Sequence, residues 1–381
     1  MNPTILITGA TGNIGAAVVG RVLEEWPEAR MVLIIRATSD SEARLRVERA
    51  RVALDPEAGL DLLRARTTVM AGDITRPRLG LNPMEWRRLA EETTHIIHSA
   101  ASTKFGAPLD EARLTNVTGT AHVIEFARKA YRAGRLEHLV HVSTAYVCGD
   151  RAGLIGENDP PADTEFSNSY ERSKWEAERL VRAAMDELPV SLVRPSVVVG
   201  DSRTGRTVTF TGIYPPLRLI CDGRLKAIPC LPEARLDVVP LDYVAAAIVQ
   251  LVRMPERACG RTFHLTAGEQ SSLPAAEIVR RAAAFFGKRA SGGTARQPQI
   301  VSSEGNPAVG SACQNGHHRD PFSLFCPYLS VHRSFDRTNT DSLLAPLGIR
   351  PPALSEYFDT ILTHCLQVNW GKVGHPARRA A

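Results

Sequence analysis

Residues 4–15 read Thr4-Ile5-Leu6-Ile7-Thr8-Gly9-Ala10-Thr11-Gly12-Asn13-Ile14-Gly15. The run Thr4-Ile5-Leu6-Ile7 has the short apolar character of a buried strand. Apolar residues then recur at helical spacing, at Ile14, Val18, Val19, Val22 and Leu23, until Pro27 ends the pattern. Three glycines, at 9, 12 and 15, stand between strand and helix. Glycine at such a turn allows positive φ and lets a ligand come close to the backbone. The helix that follows presents unpaired N–H groups and the positive end of its dipole. A Gly-rich turn in this setting is a seat for a pyrophosphate, and its GxxGxxG spacing differs by one residue from GxGxxG. A tight turn with no ligand is the competing reading.

The alternation continues outward from this turn. Met31–Ile35 reads as a second buried strand, which completes a βαβ unit with parallel strands. Helical patterns follow at 41–54, 82–92, 108–131 and 168–188, and strands at 67–70, 94–97, 139–142 and 190–193. Asn82 caps the second of these helices, with Pro83 in its first turn. Repeated strand–helix alternation predicts a Rossmann-like α/β fold, a doubly wound parallel sheet. Residues 200–234 are rich in Gly, Pro, Thr and Arg and read as a loop-rich excursion. Residues 236–253 return to strand and helix signals, 263–265 to one more strand and 273–286 to a helix. Residues 290–319 have no periodicity, which suggests a lid or a disordered loop. Two short helices are expected around Pro351-Pro352, and residues 371–381 form a tail. The division expected is a nucleotide-binding domain over 1–200, rejoined by 236–265, and a smaller substrate-binding region from 201–235 and 266–370.

Composition removes other classes. The 381 residues are 44% hydrophobic and 23% charged, which excludes wholesale disorder and a collagen-like fibre. Apolar stretches such as Val244–Val249 fall far short of the about 18 residues of a membrane span. Met1-Asn2-Pro3-Thr4 does not open a signal peptide, so a cytoplasmic location is expected. The net charge of +5 comes from basic residues scattered among acids, a pattern that suits small phosphorylated anions better than nucleic acid. Seven cysteines, at 148, 221, 230, 259, 313, 326 and 365, include no CxxC pair. They read as reduced thiols, with no metal site expected; His317 and His318 near Cys313 lack ligand spacing.

Further residues carry chemistry. An acidic residue at the end of the second strand would favour NAD, but this chain has Arg36, followed by Thr38 and Ser39. A guanidinium suits a 2′-phosphate, which points to NADPH over NADH. Asp73, after the third strand, is placed to meet the adenine or simply to form its turn. Tyr170 and Lys174 lie four apart on one helix face. A nearby ammonium favours the phenolate and is expected to lower the tyrosine pKa, making the pair a general acid/base. The fifth strand ends in Ser143-Thr144, whose hydroxyls could polarise a substrate carbonyl or merely cap the strand.

With these residues the chain, over roughly residues 3–265, resembles the extended short-chain dehydrogenase/reductases. His98-Ser99-Ala100-Ala101-Ser102-Thr103-Lys104-Phe105, Asn116-Val117-Thr118-Gly119-Thr120, His141-Val142-Ser143-Thr144-Ala145-Tyr146-Val147 and Ser173-Lys174-Trp175-Glu176-Ala177-Glu178 look like fatty acyl-CoA reductases and terminal thioester reductases. Beyond Leu265 no anchor is visible. The resemblance implies catalytic roles for Thr144, Tyr170, Lys174 and Asn116. It implies cofactor contacts at Thr8, Gly9, Thr11, Gly12, Asn13, Ile14, Gly15, Arg36, Asp73, Ile74, Ala100, Ala101, Ser102, Lys104, Asn116, Val142, Ser143, Tyr170, Lys174, Arg194, Pro195, Ser196 and Val197. The implied reaction is NADPH-dependent reduction of an acyl thioester, on coenzyme A or on an acyl or peptidyl carrier protein, to an aldehyde and then in principle an alcohol. A sugar-nucleotide epimerase or dehydratase, a hydroxysteroid-type dehydrogenase and a non-catalytic NADP-binding regulator are the alternatives.

Overall fold

Seven parallel strands form the centre of the molecule. In the computed structural model, which describes residues 2–160, 164–225, 227–288, 298–301 and 322–372, they are β1 (Thr4–Thr8), β2 (Arg30–Ile35), β3 (Thr67–Ala71), β4 (His95–His98), β5 (His138–Val142), β6 (Val190–Pro195) and β7 (Thr262–Leu265). Their order is β7-β6-β5-β4-β1-β2-β3. The chain winds outward from β1 to β3 and then crosses to β4 on the other side, so the order reverses between β1 and β4. The crevice above their carboxyl ends is where open sheets of this kind bind ligands. Helices cover both faces, which is why the middle of β1 is a continuous apolar run: Ile5, Leu6 and Ile7 are fully buried.

One face is closed by the helices Asn13–Glu25 and Leu241–Val252, whose Val18, Val22, Ile248 and Leu251 share a core with Ile7 and Leu33. The other is closed by Pro83–Glu92 and Gly119–Arg132 through Leu89, Val123 and Phe126. Asn82 caps the first of these, accepting from the backbone N–H of Met84 at 3.0 Å and Glu85 at 2.9 Å. A third core joins the helices Tyr214–Cys221, Ala275–Gly287 and Leu354–Gln367 to Tyr146, Phe325 and Tyr328.

Three segments depart from the sequence reading. The expected long helix over 108–131 is α-helical at Leu109–Arg113, widens to a π turn at Leu114–Thr118, and resumes at Gly119–Arg132. Such single π turns accompany functional sites, and this one holds Asn116. The 200–234 excursion contains the helix Tyr214–Cys221 and the strand Ala227–Pro229. Pro215 and Pro216 mask the helix from composition, yet they sit in its first turn, where a missing N–H costs nothing. The helix expected from Leu273 starts at Ala275, because Leu273–Pro274 pairs with Arg235–Leu236. Within 290–319 only 298–301 are described, and Gln299–Val301 pairs with Ala227–Pro229. Cys313, His317, His318 and the tail beyond Lys372 lie outside the described residues. Among the described residues no helix is long and apolar enough to cross a membrane.

Candidate active site

The glycine turn is built by close contacts. Gly9 has φ +78°, and a Cβ there would lie 2.6 Å from Ala100 N. A Cβ on Gly15 would lie 2.2 Å from the Gly9 carbonyl oxygen, so only glycine lets the helix start this close to the strand. Gly12 is the helix N-cap and has no side chain to cap it. Two hollows meet at this turn, one of about 370 Å³ and one of about 380 Å³, and Gly9, Gly12, Ser99, Ala101 and Thr103 line both. A dinucleotide fits this cradle: the close packing of strand end and helix start leaves the turn bare at Gly12, and a pyrophosphate would lie at this helix N-terminus, between the two hollows.

The first hollow is lined by Thr11, Arg36, Asp73, Ile74, Ala100, Ser102 and Lys104, which sequence reasoning placed at the cofactor. Arg46 lines it as well and donates to the Arg36 carbonyl. Sequence reasoning missed Arg46, which stands among the many arginines of the helix Asp40–Leu54. Asp73 does form its turn: Oδ1 accepts from Thr75 N at 2.9 Å and the Thr75 hydroxyl at 2.8 Å, while the residue borders the hollow. Lys104 lies 3.3 Å from Glu111.

The second hollow holds the Tyr/Lys helix, Ser169–Ala184, capped by Asn168 Oδ1 accepting from Glu171 N at 3.0 Å. Tyr170 and Thr144 line the hollow, with Ser143, Ile14, Pro195, Ser196 and Val197. Burial pushes the Tyr170 hydroxyl up to about 12, against a hydrogen bond with Thr144 that lowers it. The expectation that Lys174 lowers this pKa is therefore corrected. The lysine is turned away: Nζ donates to the Val142 carbonyl at 2.7 Å and lies 3.5 Å from His141 Nε2. Burial brings Lys174 down to about 8, opposed by the charge of Glu178. The residue still carries its proton at neutral pH. Burial also holds His141 well below its usual range, so a neutral ring faces the ammonium.

Asn116 ties the pieces together. Its Oδ1 accepts from Ser102 N at 2.7 Å, and its Nδ2 donates to Ser102 O at 3.1 Å and to the Ser173 hydroxyl at 2.8 Å. The loop after β4 is thereby fixed to the Tyr/Lys helix.

Several residues expected at the cofactor have side chains engaged with buried partners. The Ser143 hydroxyl donates to Glu178 Oε2 at 2.6 Å, which leaves Thr144 as the hydroxyl beside Tyr170. Arg194 is buried against Glu178, with Nη2 2.5 Å from Oε1 and Nε 3.1 Å from Oε2, and does not line either hollow. Burial would raise Glu178, but Arg194, Arg182 and Ser143 outweigh it and hold the carboxyl at about 2. Thr8 lies 2.7 Å from His98 Nδ1, whose Nε2 lies 3.0 Å from the Thr120 hydroxyl. Thr8 and Val142 also line neither hollow.

Aromatic side chains form much of the second hollow's wall. Phe105 stacks on Tyr170 and on Tyr328, at 5.7 and 5.9 Å between centroids, and Tyr146 meets Tyr328 edge-on at 4.8 Å. Tyr328 donates to Glu171 and accepts from Asn168 Nδ2 at 3.1 Å. Phe325 completes the wall. Sequence reasoning missed Phe325 and Tyr328. Their only signal is an aromatic cluster, Phe322, Phe325 and Tyr328, after an unpatterned stretch.

The sheet order and the glycine turn at its crevice are those of an extended short-chain dehydrogenase/reductase. More narrowly, a model of an NAD-binding family described as "Male sterility protein" matches residues 7–248, and the chain belongs to that family. It is 33% identical over 261 residues to the non-canonical nonribosomal peptide synthetase cpsA of Aspergillus campestris, covering 65% of this chain and 24% of that protein. It is 25% identical to a protein of Arabidopsis thaliana named "Probable fatty acyl-CoA reductase 5", covering 75% of this chain and 71% of that one. Among solved structures, the terminal R domain from the myxalamid PKS-NRPS biosynthetic pathway superposes with a TM-score of 0.79 at 29% identity, over 98% of this chain and 92% of that one. The chain spans about a quarter of the length of the first curated relatives it matches, from 24% to 26%.

Proposed function

We propose that this protein is an NADPH-dependent reductase of an acyl thioester, carried by coenzyme A or by an acyl or peptidyl carrier protein. The observation that carries the reading is the second hollow: Tyr170 and Thr144 line it together with an aromatic wall of Phe105, Tyr146, Phe325 and Tyr328. An acyl group matches such a wall, whereas a sugar nucleotide calls for polar groups. In this reading residues 1–200 and 236–265 are the nucleotide-binding part, and the substrate-binding region of 201–235 and 266–370 adds Thr209, Thr211, Gly212, Phe325 and Tyr328 to a wall shared with Phe105 and Tyr146.

NADPH, when bound, supplies the hydride. The helix start at Gly12, packed close to the strand by Gly9 and Gly15, would take its pyrophosphate, and Arg36 with Arg46 would face the 2′-phosphate. Thr144 and Tyr170 hydrogen-bond the thioester oxygen and stabilise the charge that develops on it. Tyr170 donates the proton, and its high pKa keeps the proton available at neutral pH. Lys174, held on Val142 O, supplies a positive charge behind the site. The hemithioacetal formed on the substrate then loses its thiol to give the aldehyde. A further round on the aldehyde, with the same residues, would give the alcohol.

The test follows NADPH absorbance with acyl-CoA thioesters, acyl-carrier thioesters, aldehydes and nucleotide sugars. Oxidation with thioesters is expected. No oxidation with any thioester or aldehyde would defeat the proposal, and turnover confined to nucleotide sugars would replace it.

A further inference from the structure

Asn13 opens the helix Asn13–Glu25 inside the glycine turn, a position that marks it as a cofactor contact. Its side chain is engaged elsewhere. Oδ1 accepts from Val208 N at 2.8 Å, Thr209 N at 2.9 Å and the Thr207 hydroxyl at 3.0 Å. Nδ2 donates to the Thr209 carbonyl at 3.3 Å. These partners lie nearly two hundred residues further along the chain, and Thr209, Thr211 and Gly212 line the catalytic hollow.

The segment that Asn13 holds is a span between two anchors. Before it, Ser202 N and the Ser202 hydroxyl donate to Asp242 at 2.9 and 2.6 Å. After it, the helix Tyr214–Cys221 is set in the third core through Tyr214, Leu217 and Ile220. Between the anchors Thr209 and Thr211 are exposed. Two consecutive backbone N–H groups, at 208 and 209, have the Asn13 oxygen as acceptor. Removing that acceptor hands both to water, and the span loses its link to the sheet's ligand crevice.

We propose that Asn13 is a positioning residue, a latch that holds residues 207–212 against the glycine turn so that dinucleotide seat and substrate wall form one unit. For the substrate side the proposal rests on the thioester-reductase reading. Asn13 backbone and latch belong to the turn that takes the pyrophosphate, so a bound dinucleotide steadies 207–212. By linkage, a ligand against that span tightens dinucleotide binding by the same factor.

The experiment measures amide hydrogen exchange of peptides covering 205–213, with and without NADPH, in wild type, Asn13→Ala, Thr207→Val and Thr207→Ser. NADPH affinity and the KM for an acyl-CoA thioester are measured beside it. In wild type, NADPH is expected to slow exchange in this span. Asn13→Ala is expected to speed exchange at least tenfold, to abolish the NADPH effect, and to raise the thioester KM at least fivefold with a smaller change in kcat. Thr207→Val should act in the same direction more weakly, and Thr207→Ser should restore wild-type behaviour. Unchanged exchange in Asn13→Ala, or weaker NADPH binding with exchange unchanged, overturns the latch and makes Asn13 an ordinary cofactor contact. Exchange needs no turnover, so absence of thioester reduction would sink the functional reading while the latch is still decided.

Discussion

Replacing Glu178 by glutamine removes a buried carboxylate shared by two arginines and the Ser143 hydroxyl. Glu178 is fully buried, and it takes hydrogen bonds from Arg194 at 2.5 and 3.1 Å, Arg182 at 3.0 Å and Ser143 at 2.6 Å. Arg194 is itself only 2% exposed. Two routes give the size of the loss. Removing one partner of a buried pair strands the other charge, at a cost of about 3–5 kcal/mol. Independently, burial acting against the two arginines leaves the carboxyl displaced from 4.5 to about 2, which corresponds to about 3 kcal/mol. The sign follows from linkage: a depressed folded-state pKa stabilises above the unfolded value, and the stabilisation is lost as pH falls from about 4.5 towards 2. Glu178→Gln should therefore unfold about 3 kcal/mol more easily than wild type at pH 7. The gap should stay level down to about pH 5 and close below it. Urea unfolding followed by circular dichroism across pH 3–7 measures this. A gap under about 1 kcal/mol at pH 7, or one of constant size from pH 5 to pH 3, would refute the reasoning.

Tyr170→Phe removes the proposed proton donor but not the ring stacked on Phe105; turnover should fall at least about a hundredfold with NADPH affinity within about twofold, and retained turnover would strip Tyr170 of its role. Arg36→Asp should lower the NADPH-to-NADH preference in kcat/KM by about tenfold or more, and an unchanged ratio would remove Arg36 from the 2′-phosphate site. Gly15→Ala, whose Cβ would lie 2.2 Å from Gly9 O, should lose NADPH binding by fluorescence titration. Gly12→Ala, whose Cβ would lie 3.5 Å from the same atom, should keep the wild-type melting temperature, and equal damage from both would contradict the packing argument.

Much of the site was legible because its signals are local. Tyr170 and Lys174 share a helix face by spacing alone, and Asn82 and Pro83 announce a helix start. Long-range placement was not legible. Tyr328 reaches Asn168 across 160 positions, and nothing in its neighbourhood says which wall it will join. The π turn at Leu114–Thr118 also escaped, since a single widened turn leaves helical periodicity almost intact.

The division has a physical basis. Glycine spacing, apolar runs and helix caps act within a few residues, so the sequence by itself determined the parallel sheet, the glycine turn and the helix face that Tyr170 and Lys174 share. Which way a strand-end side chain points, and what burial does to its charge, depends on everything packed around it. Only the tertiary structure could therefore turn Arg194 and Ser143 onto Glu178, give the Asn13 amide to residues 207–209, and raise Tyr170 to about 12 while Lys174 faces Val142.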